Sequence, residues 1–373
     1  MTIALTKISF LCLIIPNHEI DSHMKIYFLL PDLSAGGAER VSITIARILK
    51  NEGFDIEFVN IGFNSGEMKT WIEPEFAINN LNCNRVLSGL PKLIKFMELN
   101  NGLYFSSREH VSVVSLIAAK ITNRKIIIRI PNMPNNILTK GISGVKMKLI
   151  KLINHHLLKS AKIVIAQNEE MREQLLYYYH LTADKVVTIN NPVDKEYVQS
   201  SAMNSENPFN HECVNFLNVC NISYAKGIDT LIAAWPKVKA AIPNAHMNIV
   251  GRNTSDYAKE IVAKAKGLSD FTFLGFQNNP YPFLKYCDVF VLPSRMEGFP
   301  NVLLEAQCFN RPVVSTTCVS VITDIIREGE NGYFCKVEDP NALADCMIKA
   351  SRLRNINNSY DLFDRRLLLN CFK

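Results

Sequence analysis

Short apolar segments alternate with longer amphipathic segments through two successive parts of this chain, and this alternation restricts the fold more than any other feature. In the first part, strands are predicted near residues 25–31, 54–61, 103–106, 126–130, 162–166 and 186–189, with helices near 37–51, 90–99, 110–122, 143–159 and 169–179. In the second part, the predicted strands lie near 214–220, 245–250, 271–274, 288–292, 312–315 and 333–335, with helices near 227–241, 255–267, 280–286, 300–309, 322–328 and 340–352. Each part is therefore predicted to form a parallel sheet covered by helices.

The chain has 373 residues, more than a single hydrophobic core usually contains, so two domains are expected. We predict an α/β fold of two doubly wound, Rossmann-like domains that face each other across a cleft. The first domain is predicted over residues 24–198 and the second over 213–352, joined by the polar, unpatterned segment 199–212. Residues 353–373 form a tail in which no long helix is evident. In such sheets, ligands bind beyond the carboxyl ends of the strands.

The segment before Met24 contains one short apolar run. The apolar run from Ile8 to Pro16 is too short to span a bilayer, which takes roughly 20 residues. Because Met24 immediately precedes the first predicted strand, residues 1–23 are expected to be an upstream extension, with a weak membrane anchor as the alternative. The ten cysteines show no Cys-x-x-Cys spacing, which argues against a zinc site and favours a reducing cytoplasm.

Positive charge is concentrated in one region of the first domain. Residues 85–162 contain fourteen Lys and Arg against two acidic residues, although the whole chain carries only +6. Around residues 90–97 and 145–153, lysines alternate with large apolar residues, a pattern typical of docking on an anionic membrane surface. A solvated basic face is the alternative. Nucleic acid is not an expected partner, because no nucleic-acid-binding motif accompanies the charge.

The strand 288–292 leads into a turn and a helix that is predicted to start at about Pro300. Glu297 lies in the turn and Glu305 about two helical turns further on. A helix start attracts anions through its free backbone N–H groups and its dipole. Glu305 lies among apolar residues and therefore needs a hydroxyl or cation as its partner. Two carboxylates beside such a helix start suit a ligand that has both phosphates and hydroxyls, and a nucleotide sugar is such a ligand.

Other candidate residues also follow predicted strands. Gly36 and Gly37 form a turn before the first helix, where the backbone can approach a ligand closely. This turn matches neither the dinucleotide fingerprint nor a Walker loop, so NAD and ATP are not favoured. Lys226 can place its ammonium on a phosphate, and Gly251 ends a strand where a base could bind. A simple structural role is the alternative for each of them.

His110 and Arg129 lie at positions that are predicted to open on the cleft. His110 begins a helix after the strand 103–106, and Arg129 ends the strand 126–130. His110 is a candidate catalytic residue, and Arg129 is a candidate contact to the acceptor or to a phosphate. A structural histidine and a structural arginine are the alternatives.

Taken in order, these motifs resemble glycosyltransferase family 4, the retaining "group 1" transferases with the two-domain GT-B fold. The similarity runs from about Met24 to about Ser351, and its most specific part is the segment from Asp288 to Glu305. The supporting motifs, in chain order, are residues 36–40 (GGAER), 191–194 (NPVD), 226–227 (KG), 249–251 (IVG), 273–276 (FLGF), 311–314 (RPVV) and 331–332 (NG). The chain differs from the family at two places. Family members usually carry an arginine at the position of Asn221, and their loop at residues 320–324 usually contains two glycines and a glutamate.

The resemblance implies a role for each matching residue. Gly37, next to Gly36, would lie against the donor diphosphate, and Lys226 would bind it from the other domain. Glu297 would contact the sugar hydroxyls and Glu305 the ribose. His110 resembles the histidine that some members place beside the sugar. The residues that would shape the sugar and phosphate site are Gly298, Phe299, Pro300 and Asn301. The family uses neither a metal nor a cofactor.

We therefore expect a retaining transferase that moves a hexosyl or N-acetylhexosaminyl unit from a nucleotide sugar, with UDP favoured. The acceptor would be a lipid-linked saccharide for O-antigen, capsule or exopolysaccharide, met at the inner face of the cytoplasmic membrane. Two alternatives remain open. One is a nucleotide-sugar epimerase of the same fold, and the other is a catalytically weak membrane-associated scaffold.

Overall fold

A computed structural model describes residues 24–34, 36–135, 155–354, 356 and 362–373. Its first sheet has seven parallel strands in the order β3-β2-β1-β4-β5-β6-β7. These strands are β1 (Ile26–Leu30), β2 (Ile56–Asn60), β3 (Ala77–Asn80), β4 (Leu103–Ser106), β5 (Lys125–Arg129), β6 (Ile163–Ala166) and β7 (Val186–Thr188). Every residue of the central strand β1 is buried, as expected for a parallel strand covered by helices on both faces.

The α-helices that the structure describes from end to end in this part of the chain are α1 (Gly37–Asn51), α2 (Lys69–Ile72), α3 (Leu90–Leu99), α4 (Glu109–Ile121), α5 (Glu169–Tyr179) and α6 (Lys195–Ser200). Side-chain caps start two of them, because Asn168 accepts from the backbone N–H of Met171 and Asp194 from that of Tyr197. The predicted helix 143–159 falls mostly outside the described residues, since the structure describes it only from residue 155 onward.

The second sheet has six parallel strands in the order β10-β9-β8-β11-β12-β13. The strands are β8 (Val214–Val219), β9 (Ala245–Val250), β10 (Phe271–Gly275), β11 (Val289–Leu292), β12 (Val313–Thr316) and β13 (Gly332–Cys335). The helices are α7 (Ile228–Ala241), α8 (Asp256–Lys264), α9 (Tyr281–Tyr286), α10 (Asn301–Gln307), α11 (Ile322–Ile325) and α12 (Pro340–Ala350). The fold prediction of two parallel, doubly wound sheets is therefore confirmed.

A last helix, α13 (Arg365–Phe372), returns to the first sheet. Phe372 packs against Phe28 and Phe105, with ring centroids 6.5 and 5.8 Å apart. The sequence of this tail does not predict a long helix. The helix has only eight residues, and its buried side chains pack in the hydrophobic cluster of the first sheet.

The two sheets share one buried cluster, which contains Tyr104 of the first sheet and Phe290 of the second. Within the described residues, no helix has both the length and the apolar character needed to cross a bilayer. Residues 1–23, on which the extension or anchor was predicted, lie outside the described part of the chain.

Candidate functional site

A cavity lies between the two sheets, at the carboxyl ends of their strands. It is lined from the first part of the chain by Gly36, Gly37, Arg40, Val41, Ile43, Thr44, Arg47, Trp71, Pro192, Val193, Asp194, Tyr197 and Val198. From the second part it is lined by Val219, Cys220, Asn221, Val250, Gly251, Phe276, Gln277, Pro280, Tyr281, Asn301, Val302 and Glu305. The diglycine turn and one of the two predicted carboxylates therefore share a single cavity.

The diglycine turn opens α1 and leaves room beside it. Gly36 is the residue before the helix, and a Cβ there would lie 2.3 Å from Glu39 Oε2 and 2.8 Å from Arg108 Nη2. Glu39 is buried and paired with Arg108, whose Nη2 donates to Oε2 at 2.8 Å. A side chain at position 36 would displace the ends of these two side chains. At Gly37 the nearest atom to an added Cβ is Asn301 Nδ2, 3.9 Å away, so the turn faces Asn301 of the second domain at van der Waals distance.

Glu305 meets a cation from the opposite domain. Its carboxylate lies 3.7 Å from Arg40 Nη1, and its side chain is only 13% exposed. The Arg40 guanidinium also lies over the Trp71 ring, 4.9 Å from its centroid. Burial raises the pKa of Glu305, and the charge of Arg40 opposes that shift without cancelling it. The carboxylate is thus held in a largely desolvated position, where a hydrogen-bond donor from a ligand would be favourable.

Glu297 is engaged within its own domain. Its Oε1 accepts from Lys226 Nζ at 2.7 Å and from Ser294 Oγ at 2.6 Å. Burial lowers the pKa of Lys226, but the charge and hydrogen bond of Glu297 outweigh it, and the net result is a raised pKa. Lys226 therefore carries a positive charge at neutral pH. Neither residue is among those that line the cavity.

Two glycines permit close backbone contacts beneath this pair. Gly227 has φ +61°, and a Cβ there would lie 2.0 Å from the carbonyl oxygen of Pro293. Gly251 has φ +149°, and its Cβ would lie 1.6 Å from the carbonyl oxygen of Cys220. Any larger residue would push apart the loops that carry Lys226 and line the cavity.

The turn after Glu297 touches the first domain directly. The carbonyl of Gly298 accepts from Asn168 Nδ2 at 2.8 Å, and a Cβ on Gly298 would lie 2.2 Å from the carbonyl oxygen of Pro131. Phe299 is buried in the shared cluster. Pro300 precedes the first helical residue instead of occupying it, since α10 begins at Asn301. Asn301 lines the cavity, and its Oδ1 accepts from Asn191 Nδ2 at 2.7 Å.

Arg129 was predicted to open on the cleft, and the structure does not place it there. The residue is only 2% exposed, because the strand end directs it beneath Asn191 and Gln167. Its Nη2 donates to Asn191 Oδ1 at 2.5 Å and to Gln167 Oε1 at 2.8 Å. Burial lowers the pKa of Arg129 to about 9, and no carboxylate in the described chain forms an ion pair with it.

His110 is exposed at the start of α4 and does not line the cavity. It lies two residues after Arg108, which packs over the diglycine turn. The structure therefore does not bring His110 together with Gly37 and Glu305, and its role beside the sugar stays a prediction.

Several cavity residues are not among the site residues predicted from the sequence. Arg40 and Arg47 are seven positions apart on α1 and both line the cavity. The Arg47 guanidinium is 4.8 Å from the Tyr197 centroid and its Nη2 is 2.7 Å from Glu75 Oε1. The helical spacing could have revealed this arginine pair, because residues i and i+7 share one helix face. Asn191 belongs to the motif at residues 191–194, but nothing in its local sequence reveals that it bridges the domains.

Known proteins resemble the chain in sequence. Residues 214–352 match the family described as Glycosyl transferases group 1. An uncharacterized glycosyltransferase of Haemophilus influenzae is 25% identical over 83% of this chain and 85% of its own length. A Campylobacter jejuni protein is 23% identical over 86% of this chain and 88% of its own length. It is named N-acetylgalactosamine-N,N'-diacetylbacillosaminyl-diphospho-undecaprenol 4-alpha-N-acetylgalactosaminyltransferase.

A solved structure shares the fold. Anabaena HepE, crystallised with UDP and glucose, superimposes with a TM-score of 0.72 at 20% identity, covering 88% of this chain and 92% of its own. The neighbouring folds are of the GT-B type, in agreement with the two parallel sheets and the cleft between them. The family match contains Lys226, Glu297 and Glu305, and the relatives extend the similarity into the domain that carries the diglycine turn. The family match of residues 214–352 and the relatives over most of the chain together support a group 1 glycosyltransferase.

Proposed function

We propose that this protein transfers a hexosyl or N-acetylhexosaminyl unit from a UDP-linked sugar to a lipid-linked saccharide, with retention of configuration. One observation carries the proposal: the diglycine turn of the first domain and Glu305 of the second line the same cavity. A nucleotide sugar has phosphates that the diglycine turn can bind and ribose hydroxyls that Glu305 can bind. The UDP and glucose bound by Anabaena HepE support the choice of donor.

In the proposed complex, the nucleotide occupies the cavity. Glu305 accepts hydrogen bonds from the ribose hydroxyls, which would replace its long contact to Arg40. The diphosphate lies between Gly37 and Asn301. The first N–H groups of α1 have no intrahelical acceptor and are available to phosphate oxygens. The base lies beside Gly251, in the part of the cavity lined by Phe276 and Gln277.

Lys226 and Glu297 would act at the reacting end of the donor. Lys226 is protonated, and its charge stabilises the diphosphate as the bond to the sugar breaks. Glu297 contacts the sugar hydroxyls while Lys226 and Ser294 hold its carboxylate in place. Charge stabilisation by these side chains and by backbone N–H groups is proposed to make a divalent metal unnecessary.

For retention, we favour displacement on one face of the sugar. The bond from the anomeric carbon to the diphosphate oxygen breaks, and the acceptor oxygen bonds to the same face. The acceptor proton passes to the leaving phosphate. Glu297 is not assigned as a nucleophile, because its carboxylate already accepts hydrogen bonds from Lys226 and Ser294. Detection of a covalent glycosyl-enzyme intermediate by mass spectrometry would reject this route.

The acceptor assignment has separate support. The Campylobacter jejuni relative is named for a diphospho-undecaprenol substrate. In this chain, Leu87 lies before α3 and Leu99 ends it, and the two are 72% and 75% exposed. Lys95 is exposed between them. Such a basic and apolar surface suits docking on an anionic membrane, where a lipid-linked saccharide for O-antigen, capsule or exopolysaccharide would be met. Lys95→Glu should weaken sedimentation with anionic vesicles. Lys266→Glu, which changes an exposed lysine of the second domain, should not.

The donor site is tested by binding and turnover. Calorimetric titration with UDP and GDP should give saturable binding that Lys226→Ala and Glu305→Ala weaken. Failure of the wild-type protein to bind any nucleotide would favour the scaffold alternative. A mass-spectrometric screen of nucleotide sugars with a crude lipid acceptor fraction should show acceptor-dependent sugar transfer. Turnover of the donor without an acceptor, into an epimeric nucleotide sugar, would instead favour the epimerase.

A further inference from the structure

A series of side-chain hydrogen bonds leads from the buried Arg129 to the cavity. Arg129 donates from Nε and Nη2 to Asn191 Oδ1, at 3.2 and 2.5 Å. Asn191 then donates from Nδ2 to Asn301 Oδ1 at 2.7 Å. Arg129 and Asn191 belong to the first part of the chain and Asn301 to the second. The series therefore crosses from one side of the cavity to the other.

The chemistry of Arg129 fixes how the Asn191 amide is oriented. A guanidinium has only donors, whereas an asparagine amide has an oxygen that accepts and a nitrogen that donates. The atom of Asn191 that faces Arg129 must therefore be Oδ1. Its Nδ2 is consequently directed away from Arg129, toward Gln167 and Asn301.

Gln167 imposes the same orientation independently. Its Nε2 donates to the carbonyl oxygen of Ile130 at 2.5 Å, and a carbonyl can only accept. Gln167 must therefore direct Oε1 toward Asn191, where it accepts from Nδ2 at 2.8 Å. The same oxygen accepts from Arg129 Nη2 at 2.8 Å. Two neighbours that cannot reverse their polarity thus determine one orientation of Asn191.

This orientation is passed on to Asn301. Because Asn191 donates from Nδ2, Asn301 must accept with Oδ1. The Nδ2 of Asn301 therefore points toward the cavity. That nitrogen is the nearest atom to a Cβ placed on Gly37, at 3.9 Å. Within the part of the chain that the structure describes, no acceptor receives a hydrogen bond from it. An amide with two free N–H bonds therefore faces the diglycine turn across the cavity.

We propose that Arg129, acting through Asn191, is a positioning residue that holds the Asn301 amide with its N–H groups toward the donor diphosphate. This inference rests on the proposed nucleotide-sugar site and assigns a group to its phosphates. Phosphate oxygens only accept hydrogen bonds, so a reversed amide would place its oxygen against them. A hydroxyl could rotate to suit either orientation and would not need a fixed amide. The fixed polarity thus matches the diphosphate better than it matches the sugar.

Asn191→Asp is the direct test, because it keeps the shape and reverses the polarity toward Asn301. The carboxylate still accepts from Arg129, but Asn301 must now turn Nδ2 toward position 191 and expose Oδ1 to the cavity. We expect UDP to bind at least tenfold more weakly, which corresponds to about 1.4 kcal/mol. Uridine, which lacks the diphosphate, should bind as it does to the wild-type protein. Equal losses for both ligands, or unchanged UDP affinity in a folded variant, would overturn the proposal.

Gln167→Glu is the matched control for the added negative charge. It makes the same amide-to-carboxylate change beside Arg129, at an equally buried position. The carboxylate loses the hydrogen bond to the Ile130 carbonyl, but one of its oxygens still accepts from Asn191 and Arg129, so the orientations of Asn191 and Asn301 are preserved. UDP affinity should stay within about threefold of the wild-type value. A loss as large as that of Asn191→Asp would show that charge, and not amide orientation, weakens binding.

A double-mutant cycle avoids buried charge and covers the case in which either variant fails to fold. Asn191→Ala should weaken UDP binding in the wild-type background but not in Asn301→Ala, because both changes act through one amide. Additive losses of UDP affinity would contradict the proposal that Asn191 acts through Asn301. Wild-type protein that binds no nucleoside diphosphate would remove the proposed function together with this inference. Wild-type binding without coupling would remove the inference alone.

Discussion

Glu297 and Glu305 are eight positions apart, but they meet their cations in different ways. Glu297 lies 2.7 Å from Lys226, a residue of the same sheet's loops. Glu305 lies 3.7 Å from Arg40, which belongs to the opposite domain. The first pair depends on the fold of one domain only. The second exists only while the two domains are close together, so a ligand that enters the cavity can replace it more readily.

The largest expected effect is at the pair within one domain. Lys226→Ala should lower kcat/KM by about 10²–10³-fold, because it removes the cation proposed for the leaving diphosphate. It also leaves the mostly buried Glu297 without its counter-charge. Steady-state kinetics with the identified donor measures the effect. Lys237→Ala is the matched control, since Lys237 pairs with Asp345 at the same 2.7 Å but on an exposed surface. A loss of less than threefold for Lys226→Ala would refute the assignment.

The pair between domains should give a smaller and different change. Glu305→Gln should raise the donor KM by about tenfold and leave kcat within about twofold, because the ribose is held equally in the ground state and the transition state. Initial rates over a range of donor concentrations separate the two constants. A fall in kcat at unchanged KM would mean that Glu305 acts on the reacting atoms and not on the ribose.

The two carboxylates should also differ in how they affect stability. Burial raises the pKa of Glu305, so the folded chain holds this proton more tightly than the unfolded chain does. Ionisation therefore costs stability as the pH rises from the unfolded pKa through the folded one. Glu305→Gln should raise Tm by about 1–3 °C at pH 8 and leave it unchanged at pH 4. Glu297→Gln should instead lower Tm at pH 8, because Lys226 loses its partner. Thermal unfolding followed by circular dichroism at both pH values would show whether the signs differ.

The smallest effect is expected at an exposed contact between the domains. Arg252 Nη2 lies 3.0 Å from Glu67 Oε1, with both side chains more than a third exposed. Exposed ion pairs contribute about 0–1 kcal/mol. Glu67→Gln should therefore change kcat/KM by less than about twofold. A larger loss in the same kinetic assay would indicate that this contact, and not the Glu305 pair, governs how the domains approach.

Most of the fold could be predicted because hydrophobic periodicity is a local property of the sequence. The predicted helices 37–51 and 90–99 and the strands 103–106 and 245–250 match the structure to the residue. The elements that were missed are short or polar. The edge strand β3 reads Ala-Ile-Asn-Asn, and α2 has four residues. Pairing along one edge of the sheet stabilises β3, and no periodic pattern in the sequence records such pairing.

In the candidate site, too, some residue positions could be predicted from the sequence and others could not. The positions of Gly37 and Glu305 could be anticipated, because both follow strands whose carboxyl ends meet at the cleft. The burial of Arg129 could not, since its partners Gln167 and Asn191 are 38 and 62 positions away in the sequence. Exposure of a strand-end residue depends on which loops close over it. This is a property of tertiary packing and not of local sequence.

The return of α13 to the first sheet affects how the protein can be made. Phe372 completes a cluster of aromatic rings with Phe28 and Phe105, yet these residues are synthesised after the whole second sheet. Domains usually fold in the order in which they leave the ribosome. Here part of the aromatic core of the amino-terminal half stays uncovered until α13 has emerged. Truncation before residue 365 should consequently impair solubility through the half of the molecule that was translated first.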